Sequence, residues 1–126
     1  MSHDVVADGL NMMLNAKRAG KEVVVVTKMS NLFIEILKIM KQKDVIKKYK
    51  INPKEKSVEI TLGDFTQCKS VKPRFTAQKD EIDKYMRRYL PARNMGTMII
   101  STNKGLMTQE EALEEGIGGC IIAFFY

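Results

Sequence analysis

The sequence has few of the side chains on which enzyme catalysis most often depends. It contains one histidine, two cysteines, three prolines and no tryptophan among 126 residues. The histidine, His3, lies at a terminus that we expect to be mobile, so the commonest general base is missing from any cleft. Neither a Ser-His-Asp nor a Cys-His arrangement can then be assembled. We therefore predict that the protein is not an enzyme.

The two cysteines, Cys68 and Cys120, are too few for a disulfide framework. No histidine lies near them in the sequence to complete a zinc site. We expect two reduced thiols, as is usual for a cytosolic chain, with no bound metal, no cofactor and no small-molecule substrate.

Two other features that might suggest chemistry have simpler explanations. The four glutamates between Glu110 and Glu115 have the spacing of a solvated helix face that begins with an N-terminal cap. The glycines of residues 116–119 follow a helix and precede a strand, which is the reverse of the order in nucleotide-binding loops. A helix C-cap followed by a tight turn accounts for them.

Long hydrophobic runs are also absent. The longest, such as Val23–Val26 and Ile121–Phe125, have the length of strands and fall far below the roughly 20 residues that span a bilayer. The N-terminus lacks the basic segment and apolar core of a signal peptide. We therefore expect a cytoplasmic protein with no membrane partner.

Positive charge is abundant and concentrated in one segment. Residues 38–56 carry eight lysines and two acidic residues, Asp44 and Glu55. The net charge of this segment, +6, equals that of the whole chain. Such a segment attracts polyanions and releases counterions from each phosphate that it neutralises. The same lysines are also compatible with an ordinary solvated surface. Charge alone does not separate nucleic acid from an acidic membrane surface.

Hydrophobic periodicity predicts an α+β protein made of two small packed α/β subdomains. In residues 1–63 we expect the order α-β-α-β-β, with helices at 4–19 and from Ser30, a buried strand at 22–27, and antiparallel strands at 46–51 and 57–62. In residues 64–126 we expect a mostly antiparallel sheet with short helices. Its elements are strands at 65–71 and 97–101, helices at 79–89 and from Thr108, and a final strand at 120–126, apolar on both faces.

The most informative segment runs from Ser101 to the end of the chain. A run of β-formers leads into the small polar residues Ser101, Thr102 and Asn103, which can approach a sugar-phosphate backbone closely. Thr108 and Glu111 have the spacing of a capping box, and Gly116 is placed to end the helix. On chemistry alone the polar loop is better explained as a turn that satisfies its own backbone groups.

The order of residues in this segment resembles the ribosomal small-subunit protein eight family. The resemblance rests on Ser-Thr-Asn-Lys-Gly-Leu-Met-Thr-Gln-Glu-Glu-Ala at 101–112 and Gly-Ile-Gly-Gly at 116–119, and it extends over the whole chain. Leu-Pro-Ala-Arg-Asn-Met-Gly at 90–96, Lys-Pro-Arg-Phe at 72–75 and the aromatic ending are similar to the archaeal and eukaryotic branch.

The resemblance implies a structural, RNA-binding constituent of the small ribosomal subunit that contacts a central-domain rRNA helix and helps to assemble the subunit. Small-subunit rRNA and neighbouring ribosomal proteins are the implied partners. Alternatives from other classes are a messenger-RNA-binding translational regulator and a module that uses its basic face to bind an acidic protein. Co-sedimentation with small subunits separates the first function from the other two.

The predicted RNA contacts fall into four groups. The resemblance implies that the loop contacts RNA through Ser101, Thr102 and Asn103. Lys104 would add a phosphate contact, and Gly105 would permit the turn. Chemistry adds two basic clusters and one flanking arginine. These are Lys72, Arg74 and Phe75; Asn15, Lys17, Arg18, Lys28 and Ser30; and Arg93.

Several positions depart from the family pattern and limit how far its contacts carry over. Cys120 stands where charged residues are common after the paired glycines, so no contact of that side chain carries over. The other departures are Asn31, Glu35, Asp64 and Gln67.

Overall fold

The computed structural model describes residues 5–27, 30–91 and 95–126, with the backbone alone at 72–75. The chain divides into two compact units, Met1–Cys68 and Lys69–Tyr126. The predicted division of roles between residues 1–63 and 64–126 stays a prediction. The elements are α1 Val5–Arg18, β1 Val23–Val26, α2 Asn31–Gln42, β2 Ile46–Asn52, β3 Ser57–Leu62, β4 Cys68–Ala77, α3 Ile82–Tyr89, β5 Thr97–Thr102, β6 Gly105–Thr108, α4 Gln109–Glu115 and β7 Gly119–Phe125. This confirms the α+β class and the order α-β-α-β-β.

The first helix buries the apolar face that its periodicity predicts. Val6, Leu10, Met13 and Leu14 are all buried, since residues three and four apart lie on one side of a helix. The helix ends as expected at Gly20, whose φ of 77° lets the following amide of Lys21 donate to Ala16 O at 2.9 Å.

The second helix begins where Ser30 supplies its cap. The Ser30 hydroxyl accepts a hydrogen bond from the Phe33 amide at 3.1 Å, which satisfies one of the free donors of the first turn. The predicted apolar stripe of Phe33, Ile36, Leu37 and Met40 is fully buried. The stripe is therefore core, as predicted.

Strand β1 differs from the prediction of a buried strand. The three-stranded sheet of the first unit has the order β1-β3-β2, so β1 lies at an edge. Only Val26 is fully buried, whereas Val23 and Val25 are 43% and 49% exposed. Alternate residues of a strand point to opposite faces, and the face that carries Val23 and Val25 is open to solvent. Four consecutive valines predict burial of both faces, but among the described residues nothing covers the second one.

Strand β2 forms the other edge of this sheet and is strongly basic. Its pairing with β3 shifts by one residue between Ile46 and Lys48, so Lys47 is the extra residue of a β-bulge. The positive charge of this strand comes from three lysines, which are all exposed: Lys47, Lys48 and Lys50. The bulge and the charges together make this edge a poor template for another strand.

The second unit is built around its last strand. The four-stranded sheet has the order β4-β7-β5-β6, which places β7 between β4 and β5. Residues 121–125 are buried, as predicted for a strand apolar on both faces. Helices α3 and α4 pack on one face through residues such as Met86 and Ala112, against strand residues such as Met98, Ile100 and Ile121.

The bounds of two elements differ from the prediction, and one strand is not predicted. Strand β4 starts at Cys68 and continues to Ala77, so residues 72–75, which follow the end of the predicted strand, belong to it. Helix α3 begins at Ile82, three residues after the predicted start. Strand β6, at Gly105–Thr108, is not predicted by the sequence, which indicates a loop leading directly into α4.

Candidate nucleic-acid interface

Residues 101–105 form the tip of a β-hairpin. Strands β5 and β6 pair antiparallel, with Ser101 opposite Leu106 and Thr102 opposite Gly105. Asn103 and Lys104 therefore form the turn, and both are exposed. The sequence predicts an exposed polar loop for all five residues. The structure confines the loop to two residues and fixes the rest in a ladder.

The Thr102 hydroxyl is used to shape this turn. Its Oγ1 donates to Gly105 O at 2.8 Å and accepts from the Lys104 amide at 3.1 Å. A hydroxyl that bonds its own backbone two residues ahead is a common device for ordering a turn. Gly105 completes the reversal with a φ of 110°, a conformation that side chains other than glycine rarely adopt. Thr102 is therefore first a structural residue of the hairpin.

Lys104 is held by an acidic residue from the end of α4. Its Nζ lies 2.9 Å from Glu115 Oε2, and both side chains are about half exposed. An exposed ion pair of this kind contributes little stability, so Lys104 can exchange Glu115 for another anion at low cost. Until it does, the pair keeps the ammonium close to the turn.

Ser101 and Asn103 differ from their neighbours because their side chains are uncommitted. In the described part of the chain, neither the Ser101 hydroxyl nor the Asn103 amide has a hydrogen-bond partner. Thr102 continues the face of β5 that carries Met98 and Ile100, so Ser101 lies on the opposite face. The two hydroxyls that the sequence places side by side therefore point to different sides of the sheet.

Gly119 brings the start of β7 unusually close to the hairpin. A Cβ atom on Gly119 would meet Ser101 O at 2.3 Å, and one on Gly118 would meet Ala77 O at the same distance. Only glycines therefore allow β7 to enter between β4 and β5 here. The sequence predicts a turn for these glycines, whereas only Gly116, with φ 69°, has that role as the C-cap of α4.

The start of α4 fixes the other end of β6. Thr108 and Glu111 form the predicted capping box, in which the Thr108 hydroxyl accepts from the Glu111 amide at 3.3 Å. The next residue, Gln109, is buried; it accepts from the Met98 amide and donates to Gly96 O. The sequence does not predict this role of Gln109, because its hydrogen-bond partners, Gly96 and Met98, lie more than ten residues away along the chain.

The predicted N-terminal cluster is only partly available for contacts. Lys17 donates from Nζ to Gly63 O at 2.7 Å and lies 5.7 Å from the centre of the Phe65 ring. The Ser30 hydroxyl is engaged in capping α2. Asn15 and Arg18 are exposed. Lys17 and Ser30 thus serve the fold of the first unit as described.

A small basic depression lies beside Lys17. It has a volume of about 350 Å³ and is lined by three lysines, Lys17, Lys21 and Lys47, and by two acidic residues, Glu22 and Asp64. Lys47 reaches it from the β2 bulge and is not among the predicted contacts. The spacing of lysines in the sequence carries no sign of the bulge that directs this side chain.

The remaining predicted contacts cannot be placed in this geometry. Lys28 and Arg93 lie outside the described residues, and so do the side chains of Lys72, Arg74 and Phe75, whose backbone is in β4. Beside Arg93, Leu90 is buried and the Tyr89 ring stacks on Phe124 at 5.2 Å between ring centres. Tyr89 and Leu90 therefore anchor this end of the connection by burial.

Cys68 is buried in the first unit. Burial raises the pKa of the Cys68 thiol from 9.0 to about 12, an effect that the charge of Arg18 partly opposes. The thiol donates to Leu10 O at 3.3 Å and is inert in this state.

Among the described residues, His, Cys, Asp and Glu form no group able to hold a metal ion. None of the described helices has the length and apolar character needed to cross a bilayer.

Comparison with known proteins identifies the family of the chain. The family model of ribosomal protein S8 matches residues 4–126. The chain belongs to this family. Over the full length of both chains it is 42% identical to small ribosomal subunit protein uS8 of Nanoarchaeum equitans, 36% to that of Picrophilus torridus and 33% to that of Thermoplasma acidophilum. These S8 relatives are archaeal, which confirms the predicted branch.

Proposed function

We propose that this chain is a structural constituent of the small ribosomal subunit that binds a central-domain rRNA helix through the β5–β6 hairpin. Membership of the S8 family supports the assignment to the subunit. The observation that carries the RNA contact is the hairpin tip, where Ser101 and Asn103 present uncommitted polar groups on a turn ordered by Thr102. We expect the protein to act by rigid positioning and not by catalysis.

The geometry of the tip suits a helical RNA. The wide minor groove of A-form RNA displays 2′-hydroxyls and phosphates on a shallow surface, which side chains read mostly by shape. Small groups such as those of Ser101 and Asn103 reach this surface at hydrogen-bond distance, and a rigid strand loses little conformational entropy on binding. Lys104, when it leaves Glu115, adds a phosphate contact at the edge of the same patch.

The basic surface of the first unit supplies a second, less specific contribution. Exposed lysines of β2 and the depression around Lys21 and Lys47 provide positive charge that attracts phosphates at a distance. Such contacts release counterions and raise affinity for any RNA. We therefore expect affinity to depend on both surfaces, and discrimination between RNAs to depend on the hairpin.

A binding titration tests this function. The purified chain is titrated with the central-domain fragment of its own small-subunit rRNA, with an unrelated RNA hairpin as competitor and with salt varied. We expect tight binding that survives an excess of the competitor. Weak binding that either RNA removes equally at moderate salt would reduce the proposal to a basic surface.

Two matched variants sharpen the titration. Asn103→Ala removes an uncommitted amide at the tip, whereas Glu115→Gln removes a carboxylate that only holds Lys104. Asn103→Ala is expected to weaken binding to the specific fragment alone. Glu115→Gln is expected to strengthen binding to both RNAs slightly, because Lys104 no longer has to leave an anion.

A further inference from the structure

The two edges of the first unit's sheet are protected very unequally. Strand β2 carries three exposed lysines and a bulge, which are the usual means of preventing a further strand from pairing. Strand β1 is four consecutive valines with neither a charge nor a bulge. Its Val23 and Val25 side chains are nearly half exposed. An edge of this composition is an aggregation hazard unless something covers it.

The backbone of β1 also has free hydrogen-bonding groups of known position. The Leu62 amide donates to Glu22 O at 2.8 Å, so Glu22 and Leu62 are a hydrogen-bonded pair of the β1–β3 ladder. Hydrogen-bonded and non-hydrogen-bonded pairs alternate along an antiparallel ladder. Val24 and Val26 therefore bond to β3, and the N–H and C=O groups of Val23 and Val25 point away from the sheet.

A groove runs beside this edge. It has a volume of about 530 Å³ and is lined by Met12, Ala16 and Ala19 of α1 and its end, by Asn15 and Lys21, and by the first three residues of β1. Met12 is 36% exposed and contributes to the apolar floor. Among the described residues that line the groove none is acidic, and Lys21 provides a positive charge.

We propose that the β1 edge is a docking site for an extended segment of a neighbouring small-subunit protein, which adds a fourth strand to this sheet and places a carboxylate against Lys21. The inference rests on the proposed function, which supplies the neighbours. The added strand bonds to the free groups of Val23 and Val25. Its apolar side chains lie beside the exposed valines on one face of the sheet and beside Met12 on the other. The opposite charge at Lys21 sets the register and direction of the segment.

The same observations disfavour the other possible occupants. An RNA strand has no alternating amide ladder, and valine side chains offer it neither hydrogen bonds nor charge. A second copy of this chain, pairing β1 with β1 in the antiparallel sense with Val23 opposite Val25, would place Thr27 opposite Lys21 and offer it no carboxylate. A segment with apolar residues on both of its faces and one acidic group matches the exposed valines, Met12 and Lys21.

Site-specific photo-cross-linking in assembled small subunits tests the proposal. Two variants of the chain are prepared with a photoreactive phenylalanine analogue. In one it replaces Val25, and in the other it replaces Lys50 of the edge strand β2. Each chain is assembled into subunits, purified by sedimentation and irradiated, and the cross-linked peptides are identified by mass spectrometry. We expect position 25 to cross-link to one protein segment with an acidic residue or a C-terminal carboxylate, and position 50 not to cross-link to that segment.

A pair of lysine variants provides the functional control. Val25→Lys places a charge on the free edge, and Thr61→Lys places the same charge on the same face one strand inward, opposite Val23. We expect Val25→Lys to weaken retention of the cross-linked neighbour in salt-washed subunits about tenfold, which corresponds to about 1.4 kcal/mol. Thr61→Lys should leave its retention unchanged, and thermal unfolding establishes that both variants fold.

The possible failures are distinguishable. Co-sedimentation with cross-links from position 25 to rRNA, to a second copy of the chain or to nothing would overturn the docking site and leave the proposed function standing. Equal loss of the neighbour in both lysine variants would also overturn it. A chain that does not co-sediment with small subunits would contradict the proposed function and this inference together.

Discussion

The β2–β3 hairpin of the first unit and the β5–β6 hairpin of the second each use a side chain to organise the turn. In the first, Asn52 Oδ1 accepts from the amides of Lys54 and Glu55, and Lys56 adopts a φ of 51°. In the second, the Thr102 hydroxyl bonds to the backbone of Lys104 in the two-residue turn and of Gly105, which follows the turn. Both turns are ordered, but they present different chemistry.

The difference lies in what each hairpin offers to a partner. The strands and turn of the first are rich in exposed lysines, which carry charge on long flexible side chains. The second offers small neutral groups at fixed positions, and its one lysine is already paired with Glu115. Charge acts at a distance and reads no shape, whereas short rigid groups act only at contact. We infer that the first hairpin contributes affinity and the second contributes discrimination.

The largest expected effect comes from breaking the support of the second hairpin. Gly119→Val is expected to lower the free energy of unfolding by about 3 kcal/mol, because its Cβ would overlap with Ser101 O on a neighbouring strand. Specific RNA binding should disappear with it, while charge-driven binding to unrelated RNA persists. Thermal unfolding and the competition titration measure the two effects.

A matched glycine separates a steric clash from backbone strain. Gly105→Ala has open space around its Cβ but a φ of 110°. It should lower stability by about 1 kcal/mol, since only the unfavourable conformation is at issue. Equal effects of the two substitutions would show that close packing of β7 does not hold the hairpin.

The second prediction concerns the two hydroxyls of the tip. Ser101→Ala combined with Thr102→Ala should weaken specific rRNA binding by about 1 to 3 kcal/mol, because hydrogen bonds to a charged backbone are removed. The single variants should differ. Ser101→Ala should leave the unfolding temperature unchanged, whereas Thr102→Ala should lower it because the turn loses two hydrogen bonds. Unchanged affinity in the double variant would remove the hairpin from the interface.

The third prediction uses pH to report on the first unit. The folded pKa of Cys68 is raised to about 12, so the unfolded chain loses this proton first. Stability is therefore complete below pH 9 and falls as pH rises towards 12, by up to about 1.4 kcal/mol for each pH unit. Cys68→Ala should flatten this part of the curve in urea unfolding.

Cys120→Ala is the matched control for this measurement. Cys120 is only partly buried and lies in the second unit. Its removal should leave the alkaline slope unchanged. A slope that persists in Cys68→Ala and disappears in Cys120→Ala would reverse the assignment of the titrating thiol.

The smallest expected effect concerns the exposed lysines. Replacing Lys48 and Lys50 by glutamine should reduce the slope of log affinity against log salt by about 1 for each phosphate that the protein no longer neutralises. The change should be the same for the specific fragment and for the unrelated hairpin. A weaker affinity for the specific fragment alone would mean that the basic hairpin also discriminates.

Local signals are sufficient to predict several parts of the fold. The start of α2 at Ser30 and the capping box of α4 follow from residue types at fixed spacing, and the structure confirms both. Strand β6 cannot be predicted in this way, because four residues that include a glycine have little intrinsic preference and depend on pairing with β5. The exposure of β1 cannot be predicted for a related reason. A run of four valines does not indicate whether another element covers both faces of the strand.

The site shows the same division. The residue types of the hairpin tip suit close contact with RNA, so the sequence predicts this segment as the RNA contact. The distinction between Thr102, which is occupied by the turn, and Ser101 cannot, because it depends on hydrogen bonds that form only once the turn has closed. Nor does the sequence reveal that Gly119 fits against Ser101, since a close approach between two strands leaves no mark except the glycine itself.

The central position of β7 has a consequence for synthesis. The first unit pairs strands that are complete once residue 62 has been made, so its sheet can form while the rest of the chain is still being translated. The second sheet cannot close until residues 119–125 have left the exit tunnel, because the strand they form lies between β4 and β5. The hairpin tip therefore acquires its support late. We expect a nascent chain to gain its positive surface first and its ability to discriminate between RNAs only afterwards.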